Sequence, residues 1–335
     1  MTSRVTRSMP IDLLRIFGIL AIVAGHVWDN EFIRKGIYTW HVPLFFFLTG
    51  YLWTVHRPIR DEVRKRSKTL LMPYLAWVLI LGIPYIAALA IRQTDFPAET
   101  VFQILWGGNA IGRPFSAFWF VTALYFATIF LRLMQNLYPW VSWAVATVGL
   151  FVAHLYDGAL STLPLAMGVV FPSLIFILAG VALRAIRNSI PAPPFVASTL
   201  LLISAVLILG EVAAPLDIKQ ADFGTPFLSV FVATAICVGL ILIVEEMFHS
   251  TKVLTEWTTE LAAAGLMVVL THAAVLWILR TPSTGSWVDM LVATAAPWMT
   301  ALVLRRTRLS QYLLGTPRIQ NWHKPDSKRE PRQHD

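Results

Sequence analysis

The sequence predicts an all-α fold, a polytopic transmembrane helix bundle of about ten helices with both termini cytoplasmic. Three observations predict it. Of 335 residues, 56% are hydrophobic and only 14% charged, more apolar surface than one soluble core of this length needs. The excess is divided into separate runs of roughly 17 to 22 residues, the length at which a helix crosses a hydrocarbon core. Lys and Arg lie mostly between these runs and favour one side of the membrane.

The first run, about 11 to 28, follows Arg4 and Arg7 and carries no clear small-residue cleavage site, so it reads as an uncleaved helix. The second, about 38 to 55, is rich in Phe, and the third, about 70 to 91, follows the basic loop from Arg57 to Lys68. The fourth, about 116 to 135, is preceded by Gly107, Gly108, Gly112 and Pro114. Six more follow, at about 138 to 156, 163 to 184, 194 to 213, 224 to 244, 260 to 280 and 286 to 304. Several Trp, among them Trp28, Trp40, Trp106, Trp140, Trp257 and Trp287, fall near the run ends, where interfacial aromatic belts form.

Starting from a cytoplasmic N-terminus and leaving out Arg15 inside the first run, the inside segments collect 20 Lys and Arg. The outside segments collect six: Arg34, Lys35, Arg92, Arg113, Lys219 and Arg280. An odd number of spans would spoil this asymmetry. Topology thus explains the net charge of +8, and no basic patch alternating with aromatics calls for nucleic acid. A multi-pass protein of the plasma membrane is expected. Residues 1–310 form one membrane domain without a visible repeat, and 311–335, polar and rich in Pro, Lys and Arg, read as a disordered cytoplasmic tail near anionic lipid. The oligomeric state stays open, an oligomer included.

Chemistry concentrates in the first run, where Asp12, Arg15 and His26 place an acid, a base and an imidazole in one span, an expensive arrangement in lipid. Eleven helical steps bring Arg15 and His26 to within about 20° of one face, roughly 16 Å apart along the axis. Asp12 can pair with Arg15 at i,i+3. One elongated ligand can then touch both ends of the stripe. An acyl-CoA has that shape, with phosphates that suit Arg and a thin arm carrying a thioester towards His26. A neutral imidazole can take a proton from an acceptor hydroxyl, and Asp29, three residues on, is placed to orient its ring. The bland reading is that Arg15 snorkels to headgroups and His26 bonds a neighbouring helix.

The segment Ile11 to Arg15, the spacing from Arg15 to His26, and Trp40-His41-Val42-Pro43-Leu44-Phe45-Phe46-Phe47-Leu48-Thr49-Gly50-Tyr51 resemble the acyltransferase-3 family of membrane acyltransferases. Leu70 to Tyr74, Phe118-Trp119-Phe120-Val121 and Gly265 to His272 follow in the order that family has. His41 before the Pro-Leu-Phe-Phe-Phe run is similar to the fucose and polysaccharide O-acetylase branch. Thr49 stands where Ser is usual, and Phe118 where His often precedes the Trp. The resemblance implies transfer of an acyl, usually acetyl, group from cytoplasmic acyl-CoA (acetyl-CoA in the commonest case) to a hydroxyl of a carbohydrate or cell-surface glycan. By matching position it makes His26 the catalytic base and sets Arg15, with Asp12 beside it, at the donor. Arg66 and Lys68, in the basic residues before Leu70, are further donor candidates, although a solvated positive-inside loop explains that cluster almost as well.

Other polar residues are weighed against ordinary packing. His41 near the interface, Trp119 with its stacking face, and His272 in an apolar stretch are candidates for the acceptor side. Interfacial anchoring, core packing and helix-to-helix bonding are their plain alternatives. No HExxH, paired-Cys or Walker pattern is present, Cys237 stands alone, and no metal is expected. A secondary transporter or lipid-linked sugar flippase is the rival class, since ten helices with intramembrane charges also suit alternating access.

Overall fold

The computed structural model describes residues 9–92, 97–248 and 251–319. Every predicted apolar run contains a helix: α1 (Met9–Val27), α2 (His41–Tyr51), then, after the amphipathic α3 (Ile59–Arg66), α4 (Met72–Arg92). After α5 (Ala98–Trp106) come α6 (Phe118–Met134), α7 (Pro139–Ser161), α8 (Val170–Ile186), α9 (Pro193–Leu209), α10 (Leu228–Met247), α11 (Lys252–Leu279) and α12 (Trp287–Leu304). Local chemistry sets several of the starts. Proline opens α7 and α9, where no amide donor is needed. Ser286 caps α12 by accepting from the Asp289 N–H at 3.1 Å.

Among the described residues, seven helical stretches are long and apolar enough to cross a membrane, while α6 and α9 are shorter apolar helices. The second expected run holds only the 11-residue α2, about 16 Å long, behind a π-helical turn at Arg34–Tyr38. It is an inner helix. Gly50 and Gly180 bring its backbone against α8, because a Cβ on either glycine would overlap a carbonyl of the opposing helix, Ile177 or Phe47. The bundle has a core and a rim: the apolar windows of α1 and α11 are 56% and 61% buried, whereas those of α7 and α12 are 22% buried and present Val, Leu and Trp outward.

α1 and α11 run side by side in the same direction, touching at three levels about seven residues apart. Thr259 donates to Asp12 at 3.0 Å, Gly265 leaves room for Ile19, and the rings of His26 and His272 meet. A seven-residue repeat is what two roughly parallel helices need to keep one seam in register. This seam sets the depth of each ionisable group on α1.

Packing extends past the membrane domain drawn from sequence. Residues 310–319, placed mostly in the expected tail, form the turn α13 (Ser310–Leu313) and a strap, in which Leu314 is 1% exposed. The Trp77 indole holds the Leu313 carbonyl at 2.9 Å. Two adjacent leucines, Leu313 and Leu314, ahead of a polar segment are too short an apolar run to mark this contact. The remainder of the expected tail, and Arg4 and Arg7, lie outside the described residues.

Candidate active site

At the N-terminal end of α1 the Arg15 guanidinium donates to Asp12 at 3.0 Å. Asp12 is 2% exposed and also accepts from Thr259, so both carboxylate oxygens are satisfied and the pair sits firmly on the α1–α11 seam. Arg15 lines a cavity of about 240 Å³ with Thr49, Arg66, Thr69, Phe120, Val269 and the strap residues Leu314 to Thr316. Arg66 reaches it from α3, its Nε held by Glu62 at 2.7 Å. Lys68 does not join them. It lies exposed in the π-helical turn Ser67–Leu71, which turns Arg66, Thr69 and Leu70 to the cavity and Lys68 away.

At the other end of α1, His26 lines a second cavity of about 120 Å³ with Tyr38, His41, Trp119, Asp217 and Lys219. The stripe along α1 therefore borders two adjoining cavities. Phe120 and Val269 belong to the walls of both.

His41 and His272 each bond a main-chain carbonyl through Nδ1, to Ile37 and Val268, both at 2.9 Å. A carbonyl only accepts, so Nδ1 carries a proton in each ring, and in the neutral imidazole Nε2 keeps its lone pair. His272 is wholly buried with its Nε2 unpartnered, and its ring centre lies 4.9 Å from that of His26. Trp119 is 7% exposed and forms part of the same cavity wall.

Asp29 lies beyond the helix that carries His26. α1 ends at Val27, so helical i,i+3 spacing no longer applies. Asp29 is exposed, its amide bonds the Ser283 carbonyl at 2.8 Å, and among the described residues no hydrogen bond joins it to His26.

Residues of lower sequence priority complete the site. Arg113 donates to the carbonyls of His26 and, at 2.7 Å, of Thr281, tying together the C-terminal ends of α1 and α11. The loop between α9 and α10 folds back over the His26 cavity, with Leu216, Ile218 and Ala221 buried and Asp217 paired through its main chain to Asp222. Lys219 donates to the Ile111 carbonyl at 3.1 Å, and Gln220 exchanges hydrogen bonds with Asn109. Burial pulls the Lys219 ammonium below its ordinary pKa, against the opposing charge of Asp217. Burial likewise pushes Asp217 up, against the pull of Arg34 at 3.7 Å. The sequence signal was a polar insert, Asp217 to Asp222, between two apolar runs.

Beside the Arg15 cavity, Glu62 is fully buried and takes Arg57, Arg66 and Arg132 at 2.8, 2.7 and 3.2 Å. Arg132 also lies over the Trp53 ring, 4.2 Å from its centre. Three guanidinium groups around one carboxylate leave an excess of positive charge where Arg66 enters the cavity. Among the described residues no cluster of His, Cys, Asp and Glu is placed to hold a metal ion.

Comparison with known proteins fits this arrangement. Nodulation protein NolL of Mesorhizobium japonicum is 22% identical over 162 residues, covering 44% of this chain and 41% of that relative. The chain thus matches less than half of the relative's length. No solved structure matches. Residues 11–304, from the Asp12–Arg15 pair through the end of α12, match the family profile described as an acyltransferase domain, and this multi-pass helical chain belongs to the acyltransferase-3 family.

Proposed function

We propose that the protein is a plasma-membrane O-acyltransferase that moves an acyl group, in the simplest case acetyl, from cytoplasmic acyl-CoA to a hydroxyl of a carbohydrate or cell-surface glycan. The supporting observation is the back-to-back placement of the two cavities: an arginine-lined one at Arg15 and a histidine-lined one at His26, with Phe120 and Val269 between them. The first suits the phosphates of the donor, because guanidinium groups bind phosphate through paired hydrogen bonds. The second suits an uncharged hydroxylated acceptor. The pantetheine arm passes Phe120 and Val269 and brings the thioester to His26.

In the transfer step His26 accepts the proton of the acceptor hydroxyl as its oxygen attacks the thioester carbonyl. The tetrahedral intermediate collapses with loss of the CoA thiolate, and the proton held on His26 returns to that sulfur. Oxygen–carbon bond formation balances carbon–sulfur cleavage, and no metal or redox partner takes part. His41 and Trp119 face the acceptor, while Arg15, set by Asp12, and Arg66 hold the donor.

The test is incubation of purified protein with labelled acetyl-CoA and candidate glycans, with products read by mass spectrometry. His26→Ala is expected to abolish transfer while the protein stays folded in the membrane, and Arg15→Ala to raise the donor KM. Undiminished turnover by a folded His26→Ala protein refutes the assignment.

A further inference from the structure

The Arg15 cavity has a wall that the family match does not reach. Leu314, Gly315 and Thr316 line it, whereas the match ends at residue 304. The strap carrying them is pinned along its length. Leu313 is held by Trp77, Ser310 Oγ donates to the Thr316 carbonyl at 2.8 Å, Gln311 donates to the Lys68 carbonyl at 3.2 Å, and the Ile319 amide donates to the Arg305 carbonyl at 3.1 Å. Gly315 adopts φ +66°, and a Cβ there would overlap the Thr69 carbonyl, so the strap backbone is pressed against another residue of the same cavity wall.

Gly315 and Thr316 also differ from their neighbours in their main-chain bonding. Among the described residues, the Leu314 amide bonds the Ser310 carbonyl, but neither the Gly315 nor the Thr316 N–H has a hydrogen-bond partner. Gly315 is buried. Buried main-chain donors in folded proteins are almost always paired with protein, water or ligand. Two consecutive unpaired amides on the wall of a cavity that also holds Arg15 and Arg66 form a receptor for oxygen atoms carrying negative charge.

We infer that the strap is part of the donor site, its Gly315 and Thr316 amides donating to phosphate or amide oxygens of the CoA chain while Arg15 and Arg66 neutralise its charge. This rests on the acyl-CoA reading above. It makes residues 310–316 a donor-affinity element outside the matched residues 11–304.

The experiment measures binding of coenzyme A itself to detergent-purified full-length protein by calorimetry, alongside donor and acceptor KM. Gly315→Val displaces the strap from Thr69, and Trp77→Phe keeps an aromatic ring but releases the Leu313 carbonyl. Each is expected to weaken CoA binding and raise the donor KM about tenfold, the loss of roughly one charge-assisted hydrogen bond, with the acceptor KM unchanged. Leu309→Ala, at an exposed position just before the strap and away from the cavity, is expected to bind as the unaltered protein does. Either strap variant, folded by its melting profile and binding CoA with undiminished affinity, overturns the inference. An equal loss of binding in Leu309→Ala also overturns it, because the effect then belongs to the surrounding surface and not to the strap amides. Failure of the unaltered protein to bind CoA instead removes the donor reading, and the strap's role with it.

Discussion

His26 and His272 stand ring to ring across the α1–α11 seam, their centroids 4.9 Å apart and their planes tilted by 49°. The contact joins a helix at the start of the chain to one near its end, and one of the two imidazoles has its tautomer fixed by a main-chain carbonyl. A neutral ring with a free lone pair beside the proposed base gives that base a polar neighbour where lipid-like surroundings offer few. His272→Phe retains the packed ring and deletes both nitrogens. Turnover is expected to fall on the order of a hundredfold, the lower end for acid–base assistance, with the donor KM unchanged. Steady-state kinetics at varied donor and acceptor checks this, and unaltered turnover would reduce His272 to packing.

Arg113 locks the same seam at its far end. Its two-pronged guanidinium spans the carbonyls of His26 and Thr281, which a helix terminus otherwise leaves unpaired. Removing it in Arg113→Ala is expected to cost about 2 kcal/mol of stability and to lower turnover, because the backbone that carries His26 loses its anchor. Arg113→Lys, with a point charge in place of a fork, should recover only part of either. Thermal unfolding in detergent, paired with activity, separates the two effects.

Ten of the helices were legible because each rests on a long local pattern, an apolar run whose ends carry Pro, Gly or charge, whereas α3 formed in the basic loop and α5 outside any predicted run. The relation of Arg15 to His26 follows from helical periodicity alone, since both lie within one helix. The placement of Asp29 differs from the expected one for the same reason in reverse. The periodic argument was carried two residues past Val27, where the helix has ended. Glu62 and Arg132 are 70 residues apart, Lys219 and Ile111 are 108 apart, and Trp77 and Leu313 are 236 apart. No local pattern encodes such pairs, because they arise only when the seams of the bundle have closed. The two cavities share Phe120 and Val269, residues that come together only through side-chain packing of distant helices, and were equally out of reach.

Glu62 holds three arginines together, and its loss leaves like charges facing one another. Glu62→Gln keeps the shape and removes the counter-charge, so Arg57, Arg66 and Arg132 repel. Breaking one partner out of a buried ionic cluster is expected to cost about 3 kcal/mol. Arg66 is then no longer held at the cavity, and the donor KM should rise alongside the drop in unfolding midpoint. A variant with unchanged midpoint would show that the cluster is solvated rather than buried.

Lys219 gives a stability effect with a definite sign in pH. Its ammonium is desolvated under the α9–α10 loop, so its pKa in the folded protein lies below the ordinary lysine value of about 10.4. Between those two values the unfolded chain binds more protons than the folded one, and stability therefore rises with pH. Below the folded value both states carry the charge, and the folded protein bears the full desolvation cost. Lys219→Met has no proton to lose and lacks this dependence. Melting midpoints of the two proteins, compared from pH 7 upward, are expected to move in favour of the unaltered protein as pH climbs towards the ordinary lysine value. Curves that stay parallel across this window would show that the Lys219 ammonium is hydrated, and that the loop does not seal the His26 cavity from water.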